Sequence, residues 1–302
     1  MIMKKILSIL ILVSILMACK KVPLTDRNQF NAIPNSQLNS SSFTSYSQVM
    51  KESKLSSNTA QVDMVKKVGN RIKDAVEQYL KENKLEDATE GFKWEFNLIA
   101  ENTVNAWCMP GGKVAFYEGI LPVCKDEAGI AVVMGHEVAH AIAKHGGERM
   151  SQALAQQGLG MGLSVLMREQ PERTQALAMT AYTGISTVGA MLPFSRLHES
   201  EADELGLKFM ALAGYDPAEA PEFWKRMKAL SGGAPPEFLS THPSSDTRVK
   251  DLNKLLPEAK KYYARSSKAS NTVIPNLDKI STSDSQQKSG GSKTELKMKI
   301  GN

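Results

Sequence analysis

Apolar residues recur at intervals of three and four positions between residues 61 and 81, which is typical of a helix with one buried face. These apolar positions are Val62, Val65, Val68, Ile72, Val76 and Leu80. The segment 91–100 changes to strict alternation, with Phe92, Trp94, Phe96 and Leu98 on one face. The pattern therefore predicts an amphipathic helix followed by a strand.

Two further extended runs flank a turn signal. They cover residues 104–109 and 114–117, with Pro110-Gly111-Gly112 between them. Extended runs joined by a short glycine-containing turn favour a hairpin, so we expect these runs to form a small antiparallel sheet.

The pattern beyond residue 125 predicts a series of helices. A long helix opens at Asp126 and runs through Lys144, and Gly146-Gly147 interrupts it. Later helices are predicted at 151–167, 174–191, 199–212, 217–230 and 247–263. The expected fold class is α+β, mostly helical, with one small antiparallel sheet beside the helix that opens at Asp126.

Two of these helical stretches contain no charged residue, one between Arg149 and Arg168 and one between Arg173 and Arg196. Both contain Gln, Ser or Thr together with glycines, and polar groups at this density are costly in lipid. The favoured interpretation is therefore close-packed core helices or helices that line a cleft. The alternative is a surface that touches a membrane or client proteins.

The N-terminus has the pattern of an export signal. Lys4 and Lys5 precede an apolar run over residues 6–18, which is shorter than the about 20 residues of a spanning helix. The run ends in Leu16-Met17-Ala18-Cys19, which resembles the bacterial lipoprotein box, where signal peptidase II cuts before a cysteine that is then lipidated. The residue after this cysteine is Lys20 and not an aspartate. In Gram-negative lipoproteins this resembles the signal for export onward to the outer membrane.

Composition narrows the class of protein. The chain has 302 residues, of which 42% are hydrophobic and 23% charged, and this excludes a wholly disordered chain, a collagen and a polytopic membrane protein. A formal net charge of +5 is too small to indicate nucleic-acid binding. Three cysteines exclude a disulfide scaffold, although Cys108 and Cys124 are able either to pair or to be buried separately.

The candidate chemistry lies in His136, Glu137 and His140. Residues four apart on a helix lie about 40° apart around its axis, so the two histidines project side by side and can both bind one zinc ion. Glu137 lies next to them, where its carboxylate can accept a proton from a water that zinc acidifies. This is the H-E-x-x-H signature. Two merely structural histidines would not explain a glutamate in an otherwise Ala/Val stretch.

A catalytic zinc needs a third protein ligand. The metzincin pattern is excluded because Ala143 and Gly146 occupy its glycine and histidine positions. His145 lies about 140° around the helix from His140, which favours a surface or capping role for it.

A better third ligand lies downstream, where Glu199 and Asp203 are four residues apart. Such a pair lets one carboxylate bind the metal while the other orients a ligand histidine. Two competitors remain: His198 would complete a three-histidine site, and Glu201 lies on a different helix face.

The H-E-x-x-H helix and the later pattern S-R-x-x-E-x-x-A-D resemble the gluzincin metallopeptidases related to CAAX prenyl endopeptidases and to the mitochondrial inner-membrane stress peptidase. Within that family the chain looks like the periplasmic lipoprotein branch, which includes the β-barrel-assembly-enhancing protease, but without its tetratricopeptide domain. The resemblance covers about residues 62–255. It implies a zincin-like fold, one zinc ion per chain, endopeptidase activity, Glu199 as third ligand and Asp203 as its partner.

Further motifs extend the resemblance. Asn105-Ala106 resembles the family's edge strand, which pairs with an extended substrate, and Thr241-His242-Pro243-Ser244 followed by Arg248 resembles its histidine–proline motif. We therefore expect Asn105, Ala106 and Arg248 to contact substrate. His242 has three open roles: a fourth zinc ligand, an oxyanion donor, or a residue of a helix-entry turn. A move of the Gly232-Gly233 loop could shift it.

These features divide the chain into four expected parts. Residues 1–18 are a lipoprotein signal peptide, 19–60 a tether lipidated at Cys19 with an N-terminal arm, 61–264 the zinc metallopeptidase domain, and 265–302 a low-complexity tail expected to be disordered.

The predicted function is zinc-dependent cleavage of misfolded or stalled envelope proteins. The expected location is the outer membrane, facing the periplasm, with membrane contact through the lipid anchor only. The alternative is a chaperone or assembly factor that serves the outer-membrane assembly machinery and has weak protease activity.

Overall fold

A fully buried helix lies at the centre of the structure, a computed structural model that describes residues 19–186, 192–230 and 236–279. This central helix, α4, covers Glu127–Ile142, and all of its residues are buried. The Asp126 side chain caps it by accepting a hydrogen bond of 2.9 Å from the backbone N–H of Gly129. The helix predicted to open at Asp126 is therefore confirmed.

The remaining elements surround α4. The other helices are α1 (Asn35–Glu52), α2 (Thr59–Glu82), α3 (Leu121–Cys124), α5 (His145–Leu166), α6 (Glu172–Ser186), α7 (Leu192–Leu212), α8 (Glu219–Ala229), α9 (Glu237–Thr241) and α10 (Asp246–Arg265). The strands are β1 (Cys19–Lys21), β2 (Asn28–Phe30), β3 (Glu95–Ile99), β4 (Ala106–Met109) and β5 (Lys113–Tyr117). Helices α2, α7 and α8 and strand β4 pack against α4. The fold is α+β and mostly helical, as predicted.

The main sheet is mixed, which corrects the prediction of a wholly antiparallel sheet. Its strand order is β3-β5-β4. The predicted hairpin is confirmed, because β4 and β5 pair antiparallel with Ala106 opposite Phe116. However, β3 pairs parallel to β5, with Glu95 opposite Lys113. Alternating apolar residues identify a strand and its buried face, but they carry no information about the direction of its partner.

Both ends of the described chain pack onto the body. The Tyr46 hydroxyl of α1 donates a 3.1 Å hydrogen bond to the carbonyl of Val114 in β5. Near the other end, Ile274 is buried and its N–H bonds the carbonyl of Lys125 at 2.9 Å. The tail was predicted to be disordered from residue 265 onward, and this prediction is wrong for residues 266–279. The predicted signal peptide, residues 1–18, and residues 280–302 lie outside the described residues.

Helices α5 and α6 form a hairpin that exposes several large apolar residues. Lys144 adopts a left-handed conformation with φ 60°, so the chain breaks there, and Gly146-Gly147 lies inside the first turn of α5. The exposed apolar residues of the two helices are Leu154, Leu159, Met161, Val165, Leu166 and Leu177. The favoured prediction of close-packed helices is therefore wrong for this hairpin, because a lack of charge does not establish burial. Across the described ranges, no helix is both long and apolar enough to span a membrane.

Two glycines allow α4 and α7 to touch through their backbones. A Cβ atom at Gly135 would lie 2.8 Å from the carbonyl oxygen of Gly206, and one at Gly206 would lie 2.9 Å from the backbone nitrogen of His136. Neither position has room for a side chain without moving a helix. This contact fixes the distance between His136 and the polar face of α7.

We predict that Gly206→Ala destabilises the fold, because its methyl group meets backbone atoms rather than a flexible side chain. The expected loss in the free energy of unfolding is about 1–3 kcal/mol, measured by urea denaturation followed by circular dichroism. The matched control is Gly158→Ala on the exposed part of α5, where a Cβ meets no atom within 4 Å. Alanine there should raise helix stability by up to about 1 kcal/mol. Equal stabilisation by both substitutions would contradict the close contact.

Candidate metal centre

Helix α4 brings the two histidines of the H-E-x-x-H motif together on one buried face. The Nε2 atoms of His136 and His140 lie 3.1 Å apart, and both side chains are buried. Burial lowers the pKa of His140, which favours its neutral form. A neutral imidazole offers the lone pair that a metal ion requires.

Helix α7 adds Glu199 opposite the pair. Its carboxylate oxygens lie 3.4 Å from Nε2 of His136 and 3.3 Å from Nε2 of His140. Ligands held about 2.0–2.1 Å from a tetrahedral zinc ion are separated from each other by about 3.3 Å. The three side chains therefore fit the spacing of one tetrahedral metal site.

His242 occupies the fourth corner, just after α9. Its Nδ1 atom lies 2.9 Å from Oε2 of Glu199 and 3.1 Å from Nε2 of His136. Ligand atoms of His136, His140, Glu199 and His242 all lie within 4.8 Å of one another and could hold a metal ion. The Gly232-Gly233 loop that was expected to move His242 lies outside the described residues.

The ionisation of Glu199 suits a cation. Burial acts to raise its pKa, but hydrogen bonds with the three histidines outweigh burial and hold the pKa of this carboxyl well below its usual range. Burial likewise acts to lower the pKa of His136, but its hydrogen bonds with Asp203 and Glu199 raise that pKa to about 9. The same carboxylates that attract a proton to His136 would attract a metal cation to its Nε2 atom.

Asp203 holds His136 from behind. Its Oδ1 atom lies 3.1 Å from Nδ1 of His136, which leaves Nε2 directed into the site. Arg248 donates hydrogen bonds of 2.6 and 2.8 Å to the Asp203 carboxylate. Burial acts to raise the pKa of Asp203, and Arg248 outweighs it and keeps the carboxylate ionised.

Arg248 is not placed as a substrate contact. Its side chain is buried, its guanidinium lies 3.4 Å from the ring centre of Trp224, and it bonds Asp203. A guanidinium with all these partners has little capacity left for an extended substrate. In the structure Arg248 supports Asp203, which corrects the expected role.

Glu137 differs from Glu199 and Asp203 in its hydrogen bonding and in the direction of its pKa shift. Its Oε1 atom is buried, has no hydrogen-bond partner in the described part of the chain, and lies 3.4 Å from Nε2 of His242. Burial raises the pKa of Glu137, whereas neighbouring imidazoles oppose this shift. A carboxylate with a raised pKa and a free oxygen is a good proton acceptor for a water placed between it and the metal ligands.

Strand β4 forms an edge of the sheet beside this face of α4. It begins at Ala106, and Asn105 precedes it with its side-chain amide donating to Glu237 at 3.0 Å. The backbone of Cys108, two residues into the strand, hydrogen-bonds Glu137. The edge strand therefore runs next to the candidate base.

Three polar residues that the sequence left ambiguous lie behind the site rather than in it. His198 contacts Glu148 at 2.9 Å, and Glu201 contacts His145 at 2.9 Å. His145 is fully buried, and its Nδ1 atom lies 2.8 Å from Nδ1 of His140. The predicted surface or capping role of His145 is wrong, because the break at Lys144 ends the helical geometry on which the angle of 140° depended. In the sequence, only the position of His145 five residues after His140 hinted that it lies near the site.

The two candidate cysteines do not pair. Cys108 and Cys124 are free thiols. Burial raises the pKa of both, and Cys124 lies in the core. The alternative without a disulfide therefore describes them, with Cys108 partly buried and Cys124 fully buried.

Comparison with known proteins places this geometry in a family. The model of peptidase family M48 matches residues 66–256. The mitochondrial metalloendopeptidase OMA1 of Schizosaccharomyces pombe is 40% identical over 169 residues, which are 55% of this chain and 48% of that protein. The protein of the same name from Saccharomyces cerevisiae is 32% identical over 257 residues, 82% of this chain and 71% of that protein.

A bacterial relative is similar over a shorter part. The beta-barrel assembly-enhancing protease of Escherichia coli is 29% identical over 166 residues, 52% of this chain and 33% of that protein. The chain thus spans less than half of the S. pombe and E. coli proteins. The family match covers more than half of this chain and includes both the α4 histidines and the α7 carboxylates, so the chain belongs to peptidase family M48.

Proposed function

We propose that this chain is a zinc-dependent endopeptidase. One observation carries the proposal: His136, His140 and Glu199 converge at metal-ligand spacing, and beside them lies the Glu137 oxygen that has no hydrogen-bond partner among the described residues. The family consists of peptidases, and the relatives above are named metalloendopeptidases or proteases. Two imidazoles, one carboxylate and an adjacent glutamate are the donor set of a zinc peptidase.

Each residue then has one task. His136, His140 and Glu199 would hold the zinc ion, which would supply a Lewis acid for the scissile carbonyl and for the attacking water. Glu137 accepts the proton of the attacking water and delivers it to the departing amine. Asp203, supported by Arg248, fixes the orientation of His136.

The substrate is proposed to bind as an extended segment along β4, through Asn105 and Ala106. An edge strand can add one more strand by backbone hydrogen bonds, which selects unfolded chains over folded ones. Because β4 runs beside Glu137, a peptide bond of such a segment would lie close to the water that Glu137 activates. This supports misfolded or stalled proteins as the substrate class.

His242 is proposed to restrain the activity as a fourth ligand. Its Nδ1 atom lies at the fourth corner of the site, where the attacking water would otherwise bind. An oxyanion donor would instead be expected to face the substrate groove rather than Glu199.

The proposed location is the bacterial cell envelope, with a lipid anchor at Cys19. The support is the lipoprotein box and the similarity to a bacterial protease whose name refers to β-barrel assembly. Incorporation of labelled palmitate that persists in Cys19→Ser would contradict the anchor.

A chaperone or assembly function is the second candidate, and the α5–α6 hairpin favours it. Leu159 is 67% exposed and Leu166 is 80% exposed, so this hairpin offers apolar surface to an unfolded polypeptide. Binding there needs no cleavage. The Glu137→Gln variant separates the two functions, because client binding survives that substitution and peptide hydrolysis does not.

We predict that the chain binds one zinc ion and that Glu199→Gln lowers zinc occupancy much more than Glu201→Gln does. Glu199 faces the proposed metal position, whereas the hydrogen bonds of Glu201 in the described part of the chain go to His145, Thr25 and Arg27. Inductively coupled plasma mass spectrometry on the purified proteins measures the occupancy. Zinc content in Glu199→Gln equal to that of the wild-type chain would refute the assignment of Glu199.

We predict that Glu137→Gln reduces casein cleavage by a factor of about 100 or more, because a proton acceptor is lost while the metal ligands remain.

His242→Ala should raise casein cleavage, because it opens the fourth position. A fall of about 100-fold in His242→Ala would instead show that His242 stabilises the oxyanion. An unchanged rate would leave it as a residue of the turn.

A further inference from the structure

A second layer of buried charged groups lies behind the metal-facing side chains. Besides His145, it contains two carboxylates, Glu148 and Glu201, whose side chains are only 1% and 5% exposed. The cation that joins them is Arg27, which belongs to the N-terminal arm between β1 and β2. None of these residues is used in the mechanism above.

The layer connects to the metal site through one imidazole pair. When Nε2 of His140 binds a metal, its proton is on Nδ1, and this Nδ1–H can only donate. The acceptor is Nδ1 of His145 at 2.8 Å. His145 then carries its own proton on Nε2 and donates it to Glu201 at 2.9 Å. One tautomer of each ring is consistent with both contacts.

The far end of this chain of hydrogen bonds rests on the N-terminal arm. Arg27 donates from Nε to Oε2 of Glu201 at 3.0 Å, and the Thr25 hydroxyl donates to the other oxygen. The same guanidinium donates to both oxygens of Glu148, at 3.0 and 2.7 Å. These contacts fix the Glu201 carboxylate in the direction from which it accepts the proton of His145.

The two metal-facing histidines are therefore supported in different ways. His136 donates directly to a carboxylate, Asp203, and that carboxylate is held by Arg248 of α10. His140 reaches its carboxylate through the imidazole of His145, and that carboxylate is held by Arg27 from a position 174 residues away in the sequence. In each case an arginine from another element completes the support.

We infer that the N-terminal arm is a working part of the metal centre, with Arg27 as a positioning residue that acts on His140 through Glu201 and His145. This inference rests on the proposed zinc site. It assigns to the arm a role beyond that of a tether: docking of Thr25 and Arg27 sets the orientation and the proton position of a zinc ligand, and so sets zinc affinity.

The test measures the zinc dissociation constant of the full chain by competition with a chromophoric chelator. Arg27→Gln and Glu201→Gln should each raise the dissociation constant about 10- to 100-fold, which is usual when the support of a ligand histidine is lost. The double variant should be little weaker than either single variant, because both act through one carboxylate. The matched control is Lys21→Gln on the same arm, because the Lys21 side chain is 66% exposed and forms an ion pair with Asp26.

A further variant separates this role from simple stabilisation of the fold. Glu148→Gln alters another buried partner of Arg27, one that forms no hydrogen bond with His145 among the described residues, so it should lower the melting temperature with a smaller change in zinc affinity. If Arg27→Gln fails to fold, Thr25→Val perturbs the same carboxylate more gently and should weaken zinc binding a few-fold. Lower melting temperatures with an unchanged dissociation constant in Arg27→Gln, Glu201→Gln and Thr25→Val would overturn the inference and leave the zinc site standing. A wild-type chain that binds no zinc would overturn both.

Discussion

The close contact between α4 and α7 is the constraint on which the metal centre depends. Gly135 and Gly206 bring the two backbones together directly beside His136. Each helix places its two polar residues four positions apart, so histidines on one face meet carboxylates on the other. A wider separation of the helices would remove the contacts of His136 with Glu199 and Asp203, and it would leave buried imidazole nitrogens without these partners, which is a costly arrangement in a core.

The same contact explains why three carboxylates in one small volume behave differently. Glu199 and Asp203 face imidazoles or a guanidinium, which hold their pKa values below the usual range. Within the part of the chain that the structure describes, Glu137 has an oxygen with no hydrogen-bond partner, and burial raises the pKa of this carboxyl. Two carboxylates are thus set to hold charge, while the third is set to exchange a proton, which is the division of roles that hydrolysis requires.

Sequence patterns predicted the parts of this structure that depend on local periodicity. The helix of Val62 to Leu80, the hairpin around Pro110 and the side-by-side placement of His136 and His140 all follow from spacing along one element. The identity of the third ligand needed the resemblance to a family, because spacing alone left His198 and Glu201 as competitors.

Features that depend on contacts between distant segments could not be predicted in this way. The support of His140 by Arg27 joins residues more than a hundred positions apart, and the left-handed conformation of Lys144 rotates His145 into the core. The exposed α5–α6 hairpin reverses the usual relation between apolar sequence and burial. The parallel direction of β3 depends on the path of the chain between strands, which apolar alternation does not record.

The central claim is that side chains from α4, α7 and the segment after α9 meet at one metal ion. X-ray absorption spectroscopy at the zinc edge tests it most directly. The account predicts a shell of nitrogen and oxygen ligands at about 2.0–2.2 Å with three imidazoles in the wild-type protein and two in His242→Ala. Sulfur ligands, a shell of oxygen alone, or an imidazole number unaffected by His242→Ala would contradict the account of this centre.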